Sequence, residues 1–466
     1  MSILKTKELS KIGYTNDKAR SLVINIMAKH FKHHSKIQIT ELLTHIKDQP
    51  EKYEDHETLS PIALTWMDRP KIQDFKAYNL LQERGQLRIY GGKDIDQGAK
   101  KQMELAMSLP VATQGALMPD AHTGYGLPIG AVLATEDAVI PYAVGVDIGC
   151  RMAMTIIDET DSFFKRYSHQ AKIALKEWTH FGMEGTLPAL PDHEIMDSSM
   201  FKETELLKKL QGKAARQLGT SGGGNHFVEF GEIELYPDNA MGLAPKKYLA
   251  LLSHSGSRGL GANIAQHYTR MAMAQCKLPK EAERLAWLDM NTAAGQDYWL
   301  SMNLAGDYAK ACHEVIHHNL LKALGLEALA TVENHHNFAW RDVLEDGREV
   351  IVHRKGATPA HAGEMGIIPG SMTTAAYLVM GKGIPAALHS AAHGAGRAMS
   401  RQKAKNNMTA SALKKILSNA GVTLIGGSVE ENPNAYKDID KVMALQKSLI
   451  EVQGRFMPKI VRMNKD

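Results

Sequence analysis

Cysteine is scarce in this chain. Three occur in 466 residues, Cys150, Cys276 and Cys312. So odd and sparse a set excludes a disulfide framework and implies a reducing compartment. Long apolar runs are missing as well. No stretch reaches the roughly 18 apolar residues of a membrane-spanning helix, and the opening MSILKTKELSKIGYT has no signal-peptide core. The expected location is cytoplasmic, with no membrane partner. Neither sign of charge is in large excess: the net charge of +4 permits an anionic partner without demanding one. No Gly-Lys-Ser or Gly-Lys-Thr occurs, which excludes a Walker A phosphate loop, so any nucleotide binds by another route. Repeats and low-complexity tracts are absent too.

What is present is a globular composition, 44% hydrophobic and 23% charged, with 39 glycines and 21 histidines. Glycine is rare before residue 85 and frequent after it. Residues 1–85 carry helical apolar spacing over Ser21–His34 and Ile37–Ile46, with a turn at Asp68-Arg69-Pro70, and are expected to form a small helical extension. His30, His33 and His34 lie there without a cysteine or carboxylate at ligand spacing, and are read as a wet helix end. From 86 to 466, glycine-rich loops bearing His, Asn and Arg recur between short strands. That pattern predicts one large α+β domain whose site is built from many loops, not a doubly wound sheet. Asp120 and His122, in Met118-Pro-Asp-Ala-His-Thr-Gly-Tyr-Gly-Leu-Pro-Ile-Gly130, are expected on a tight loop.

The chemistry centres on Gly145-Val-Asp-Ile-Gly-Cys150, where a carboxylate and a thiol stand three residues apart among glycines. Such a pair is poor structural material and good metal-ligand material. Asp147, Cys150, His226, His254 and His336 each sit beside glycine or a small polar residue, outside any apolar periodic face. Five such ligands suffice for two divalent ions if the thiolate bridges, and paired ions suit phosphoryl chemistry. A hydrogen-bonded structural histidine is the competing reading for each imidazole, and a buried small hydrophobe for Cys150. The loops Gly219–Asn225 and Pro369–Met372 could cradle phosphate oxygens or be plain turns. Arg258, Arg354, Lys355, Arg397 and Arg401 lie in sequence near the candidate ligands or near His393 and could grip phosphates. His393, in Ala392-His-Gly-Ala-Gly-Arg397, has small neighbours that leave its ring accessible. Nucleophile, general base, ligand and structural residue all remain open for it. His313-Glu-Val-Ile-His317 matches the zincin pattern, but it lies in an amphipathic helix with no third ligand at metzincin spacing, so a protease is disfavoured.

Taken together, the chain from about residue 87 onward resembles the RtcB-type RNA ligases, the 3′-phosphate-activating ligases of tRNA splicing and RNA repair. The motifs MPDAHTGYGLPIG, GVDIGC, GGGNHFVE, HSGSRGLG, HHN, HRKGAT with PGSM, and HGAGR occur in order. The resemblance implies that Asp147, Cys150, His226, His254 and His336 hold two Mn2+ ions, with Cys150 bridging. It implies that His393 is guanylylated, and that Asn225, Phe227, Glu229, Ser371, Tyr436 and Lys465 surround a guanosine nucleotide from GTP. Arg258, Arg397 and Arg401 match arginines that hold RNA phosphates. The implied partners are RNA with a 3′-phosphate or 2′,3′-cyclic phosphate and a 5′-hydroxyl, and an archease-like activator. Two departures from the family pattern stand out. The C-terminal apolar run is interrupted by Arg462 and Asn464 ahead of Lys465, which makes guanine specificity a weaker expectation than metal binding. The extension 1–85, with motif changes such as GTSGGGNHF and the Ala121 and Thr123 of the first motif, marks a divergent branch. The alternatives are a metal-dependent phosphatase or cyclic phosphodiesterase acting on RNA ends, and an inactive RNA-binding homologue.

Overall fold

The computed structural model describes residues 6–14, 17–54, 56, 58–67, 75–83, 85–160, 162–182, 185–187 and 189–464. Lys465 and the expected turn at 68–70 lie outside the described residues. The chain divides into two compact units, Met1–Asp74 and Phe75–Asp466, so the break falls ahead of the 85/86 boundary expected from glycine content.

In the first unit, helices Thr6–Ile12, Asp17–His30, Lys36–Asp48 and Ser60–Ala63 enclose a small core of Leu9, Val23, Met27, Ile39, Leu43 and Ile46. The spacing of Ile39, Leu43 and Ile46 puts all three on one helical face. Ser35 and Gln38 start that helix with a reciprocal capping box. His30, His33 and His34 are exposed at and just beyond a helix end.

The second unit is built on two sheets. The larger has eight strands. Along it run Ala330–His335, Arg151–Ile157, Lys247–Ser255, Phe227–Leu235, Ile450–Met463, Ala376–Gly381 and Met365–Ile368, with Thr423–Ile425 pairing alongside Ile450–Met463. Side-chain alternation divides its apolar residues between two faces. Met152, Met154, Ile156, Ala250 and Leu252 pack on one face. Ile157, Leu249, Leu251 and Phe230 pack on the other with Ile316 and Leu320, which belong to the long helix Ala293–Leu324. The five-stranded sheet runs Asn337–Val343, Glu349–Lys355, Ile129–Thr135, Ala112–His122 and Gln86–Ile89. His336 is the single residue between the strand ending one sheet and the strand opening the other. Nearly all pairings are antiparallel, the exceptions being the short pairs of Lys76–Ala77, Gln86–Ile89 and Thr423–Ile425. Among the described residues no helix is long and apolar enough to cross a membrane.

Two expectations need correction. Asp120 and His122 lie not on a loop but at the end of the strand Ala112–His122, where the register with Ile129–Thr135 shifts between Leu117 and His122. That irregularity accommodates Pro119, which has no N–H for a regular ladder. The C-terminal run is not broken by Arg462. In the strand Ile450–Met463, Val461 and Met463 are buried and Arg462 points to the opposite side, where its guanidinium lies over the Phe181 ring. Alternation, rather than continuous apolarity, is what a strand at this place requires.

Leu251 is fully buried and Val343 is 55% exposed. Leu251→Ala is expected to lower stability by about 2–5 kcal/mol, and Val343→Ala by about 0.5 kcal/mol or less. Denaturant unfolding followed by circular dichroism checks both.

Candidate active site

Neighbouring strands of the larger sheet carry the candidate ligands at one edge. Cys150 precedes Arg151–Ile157, His226 precedes Phe227–Leu235, His254 is next to last in Lys247–Ser255, and His336 follows Ala330–His335. The register sets Met152 and Phe227 on either side of His254, and Arg151 opposite His335, so all four side chains meet at one place. The turn holding Asp147 and Cys150 is sewn down by backbone bonds from Gly149 to Asn337 O (2.8 Å) and from His336 to Cys150 O (2.9 Å). Gly149 has φ +69°, and a Cβ there would come within 2.8 Å of Gly306 in the long helix. Glycine is therefore required by both conformation and space.

The side chains form two triads that share Cys150: Asp147, Cys150 and His226, and Cys150, His254 and His336. Cys150 Sγ lies 3.4 Å from His226 Nε2 and 3.2 Å from His254 Nε2. His226 Nε2 is 3.1 Å from Asp147 Oδ2, and the Nε2 atoms of His254 and His336 are 3.3 Å apart. His254 Nδ1 donates to the Asn225 carbonyl at 3.2 Å, which leaves a lone pair on Nε2. Burial, then the neighbouring His226 and His393 rings, draw the His254 pKa down to about 3. Burial likewise holds His336 well below its usual value. Both rings are thus in the neutral, metal-ligating form. Burial and the adjacent Asp147 charge push the Cys150 thiol up. Soft sulfur, imidazole nitrogen and carboxylate oxygen converging in this way fit divalent metal ions.

Beside these triads opens a cleft. His254, His336 and His393 line it, as do Asn225, Phe227, Glu229, Ser371 and Tyr436. Glu229 is 5% exposed, and burial with nothing to offset it pushes its carboxyl well above the usual range. Val461 and Met463 bring the C-terminal strand to the same wall.

His393 stands at the cleft with its ring centroid 5.0 Å from that of His336. Asp120 is fully buried, and its Oδ2 accepts from His393 Nδ1 at 2.6 Å and from the His393 backbone N–H at 3.2 Å. One carboxylate thereby fixes both the backbone and the tautomer, leaving Nε2 as the lone-pair nitrogen. Sequence reasoning noticed Asp120 without assigning it this role. The signal was its place in the MPDAH motif, but its partner lies 273 residues away.

The cations are less free than their positions in sequence suggest. Arg397 lines the cleft, but its guanidinium bonds Glu431 Oε2 (2.9 Å), Glu430 O (2.8 Å) and Met399 O (3.1 Å), and it lies over the Tyr436 ring. Tyr436 also donates its hydroxyl to Glu431. Glu431, buried and missed in the sequence, is thus the anchor of this wall. Arg401 lies 3.6 Å from Glu431 and remains 55% exposed at the cleft. Arg258 is outside the cleft lining and bonds Thr220 Oγ1 (3.0 Å) and the Gly182 carbonyl. Arg354 is fully buried on Trp340, and Lys355 bonds the Tyr125 and Tyr142 carbonyls, so neither faces a ligand.

The zincin-like pattern is structural. His317 hydrogen-bonds Ser253 Oγ and Thr155 Oγ1, each at 2.7 Å, and His313 bonds Ser253 Oγ and the Ser255 carbonyl. Glu314 pairs with His193 on the surface.

The fold and the cleft thus define an α+β enzyme whose buried Asp, Cys and His triads are compatible with metal ions. A family model described as tRNA-splicing ligase RtcB matches residues 102–185 and 165–464, and the chain belongs to the RtcB family. It is 30% identical over 390 residues to RNA-splicing ligase RtcB of Escherichia coli, covering 78% of this chain and 93% of that one. It is 31% identical over 455 residues to tRNA-splicing ligase RtcB of Nanoarchaeum equitans, covering 80% and 94%. To RNA-splicing ligase RtcB of Mycobacterium tuberculosis it is 30% identical over 409 residues, covering 73% and 94%.

Ser253→Ala, which leaves two buried imidazoles short of a partner, is expected to cost about 1–3 kcal/mol. Metal content should be unchanged, because His313 and His317 are not ligands. Thermal unfolding and elemental analysis of the same preparation check both halves.

Proposed function

We propose that this RtcB-family RNA ligase joins an RNA 3′-phosphate or 2′,3′-cyclic phosphate to a 5′-hydroxyl, using GTP and passing through a guanylylated His393. The observation that carries the reading is the 2.6 Å bond from His393 Nδ1 to buried Asp120 beside the cleft. It leaves the lone pair on Nε2 as the nucleophile and stabilises the positive charge that grows on the ring as it attacks.

His393 Nε2 attacks the α-phosphorus of GTP. An N–P bond forms, the bond to the bridging oxygen breaks, and pyrophosphate leaves. An oxygen of the RNA 3′-phosphate then attacks the same phosphorus and displaces His393, whose ring is still held by Asp120. A cyclic phosphate is first opened by water to a 3′-phosphate. The 5′-hydroxyl of the second RNA attacks the activated 3′-phosphorus, loses its proton, and GMP departs as the phosphodiester closes. Divalent ions, manganese by resemblance to the family, would be held by Asp147, Cys150 and His226 on one side and by Cys150, His254 and His336 on the other. They would supply positive charge against the phosphate oxygens.

In this reading Glu229 accepts hydrogen bonds from the guanine edge, which would relieve its unfavourable burial. Asn225, Phe227, Ser371 and Tyr436 enclose the rest of the nucleotide; Lys465, outside the described residues, is matched to the family's guanine-reading lysine by resemblance alone. Arg401 meets an RNA phosphate. Arg397 and Arg258 contribute to RNA binding by holding the cleft wall and the Gly182 segment in place.

Incubation with Mn2+ and GTP labelled on the α-phosphate is expected to label the wild type and not His393→Ala. Asp120→Asn should label about 100-fold more slowly. An unlabelled wild type, or equal labelling of His393→Ala, overturns the reading. Cyclic-phosphate RNA that is hydrolysed without GTP and never sealed would favour a phosphodiesterase. A separate measurement concerns the ions. Cys150 belongs to both triads, so Cys150→Ser should lose both equivalents, whereas His226→Ala and His336→Ala should each lose one. Elemental analysis after desalting counts them.

A further inference from the structure

A second group of ligand-type side chains lies in the same unit, away from Cys150. Asp342, His361 and His389 bring a carboxylate oxygen and two ring nitrogens within 4.8 Å of one another. Asp342 is five residues along the strand that opens at Asn337, roughly 16 Å from that residue at about 3.3 Å per residue. His361 and His389 come from the two sides of a short antiparallel ladder in which Ala357 pairs Ala392 and Pro359 pairs Ser390. The Ala360 N–H extends that ladder to the His389 carbonyl at 2.7 Å. The cluster therefore joins the five-stranded sheet to one end of this ladder. His393 follows directly from the other end.

Several observations set this group apart from a chance surface cluster. The His361 and His389 rings stack with centroids 4.7 Å apart, and His361 Nε2 is 3.9 Å from Asp342 Oδ2. His389 Nδ1 is buried and without a hydrogen-bond partner among the described residues. Leu388 and His389 are both left-handed, at φ +51° and +48°, a strained pair for residues other than glycine. Arg354, fully buried, grips that turn through Ser390 Oγ at 2.8 Å and the Leu388 carbonyl at 2.9 Å. Its own Nη1 is unpartnered, and Glu364 and Asp342 are the nearby charges that oppose it. Glu364 also accepts from the His361 backbone N–H at 3.1 Å. The strain is thus held from the sheet side by a cation, while on the outer side two imidazoles and a carboxylate face one another.

We propose that Asp342, His361 and His389 form a separate metal site for a transition-metal dication of the zinc type, which pins the turn that launches the strand leading to His393. Two imidazoles and one carboxylate, with a water completing the shell, are a familiar zinc donor set, and nitrogen ligands favour zinc and cobalt over manganese. The site contains no sulfur, which separates it spectroscopically from any centre that uses Cys150. It does not rest on the function proposed above.

The test uses the full chain, stripped of metal and titrated with Co2+, with visible spectra and elemental analysis after desalting. The Cys150→Ala protein is expected to keep one equivalent with ligand-field bands and no sulfur-to-cobalt charge-transfer band. His361→Ala and Asp342→Asn are each expected to remove one equivalent, both from the wild type and from Cys150→Ala. His361 is 46% exposed and Asp342 20%, so both substitutions should leave the fold intact, as circular dichroism verifies. The proposal is overturned if either variant binds as much Co2+ as its parent, or if Cys150→Ala binds none.

Discussion

The register of three antiparallel strands is the constraint on which the rest depends. Met152 opposite His254, and His254 opposite Phe227, place the imidazole of one strand beside the ends of its two neighbours. A slip of one residue would turn His254 toward the opposite face and disperse the cluster. Hydrophobic burial on both faces resists that slip, since Leu249, Leu251, Ala250 and Leu252 would all exchange sides with it. The site's geometry is therefore stabilised by apolar residues that never touch it.

Dense packing also explains how so many polar groups survive burial. Several are held by a partner of complementary kind: His254 by the Asn225 carbonyl, His393 by Asp120, Arg397 by Glu431, and the His313–His317 pair by Ser253 and Thr155. Unpaired groups would cost more than the fold could offset. Those left over are informative for that reason. Glu229 faces the cleft with its burial uncompensated, and His389 Nδ1 is buried without a hydrogen-bond partner among the described residues.

Much of the site was legible because its residue types are unusual in their surroundings. A thiol and a carboxylate among glycines, and histidines beside glycine or small polar residues, stand out from any apolar period. The fold gathers all five of them. The arginines were less legible. A guanidinium next to a glycine loop looks the same in sequence whether it faces solvent or a buried carboxylate, and Glu431 had no mark of its own. Asp120 was misplaced for a different reason. Proline and glycine nearby suggested a loop, whereas an irregularity in the ladder let the strand continue through Pro119 to His122.

The sequence by itself determined the α+β class, the alternation that builds the sheets, and the set of side chains able to do chemistry, because periodicity and residue type are local properties. Only the tertiary structure decided how those side chains are divided. Cys150 is shared by two triads, Asp120 belongs to His393, Arg397 belongs to Glu431, and His313 and His317 are tied to a strand. Each of these pairings joins residues far apart in the chain, and which of them meet is set by strand register and packing.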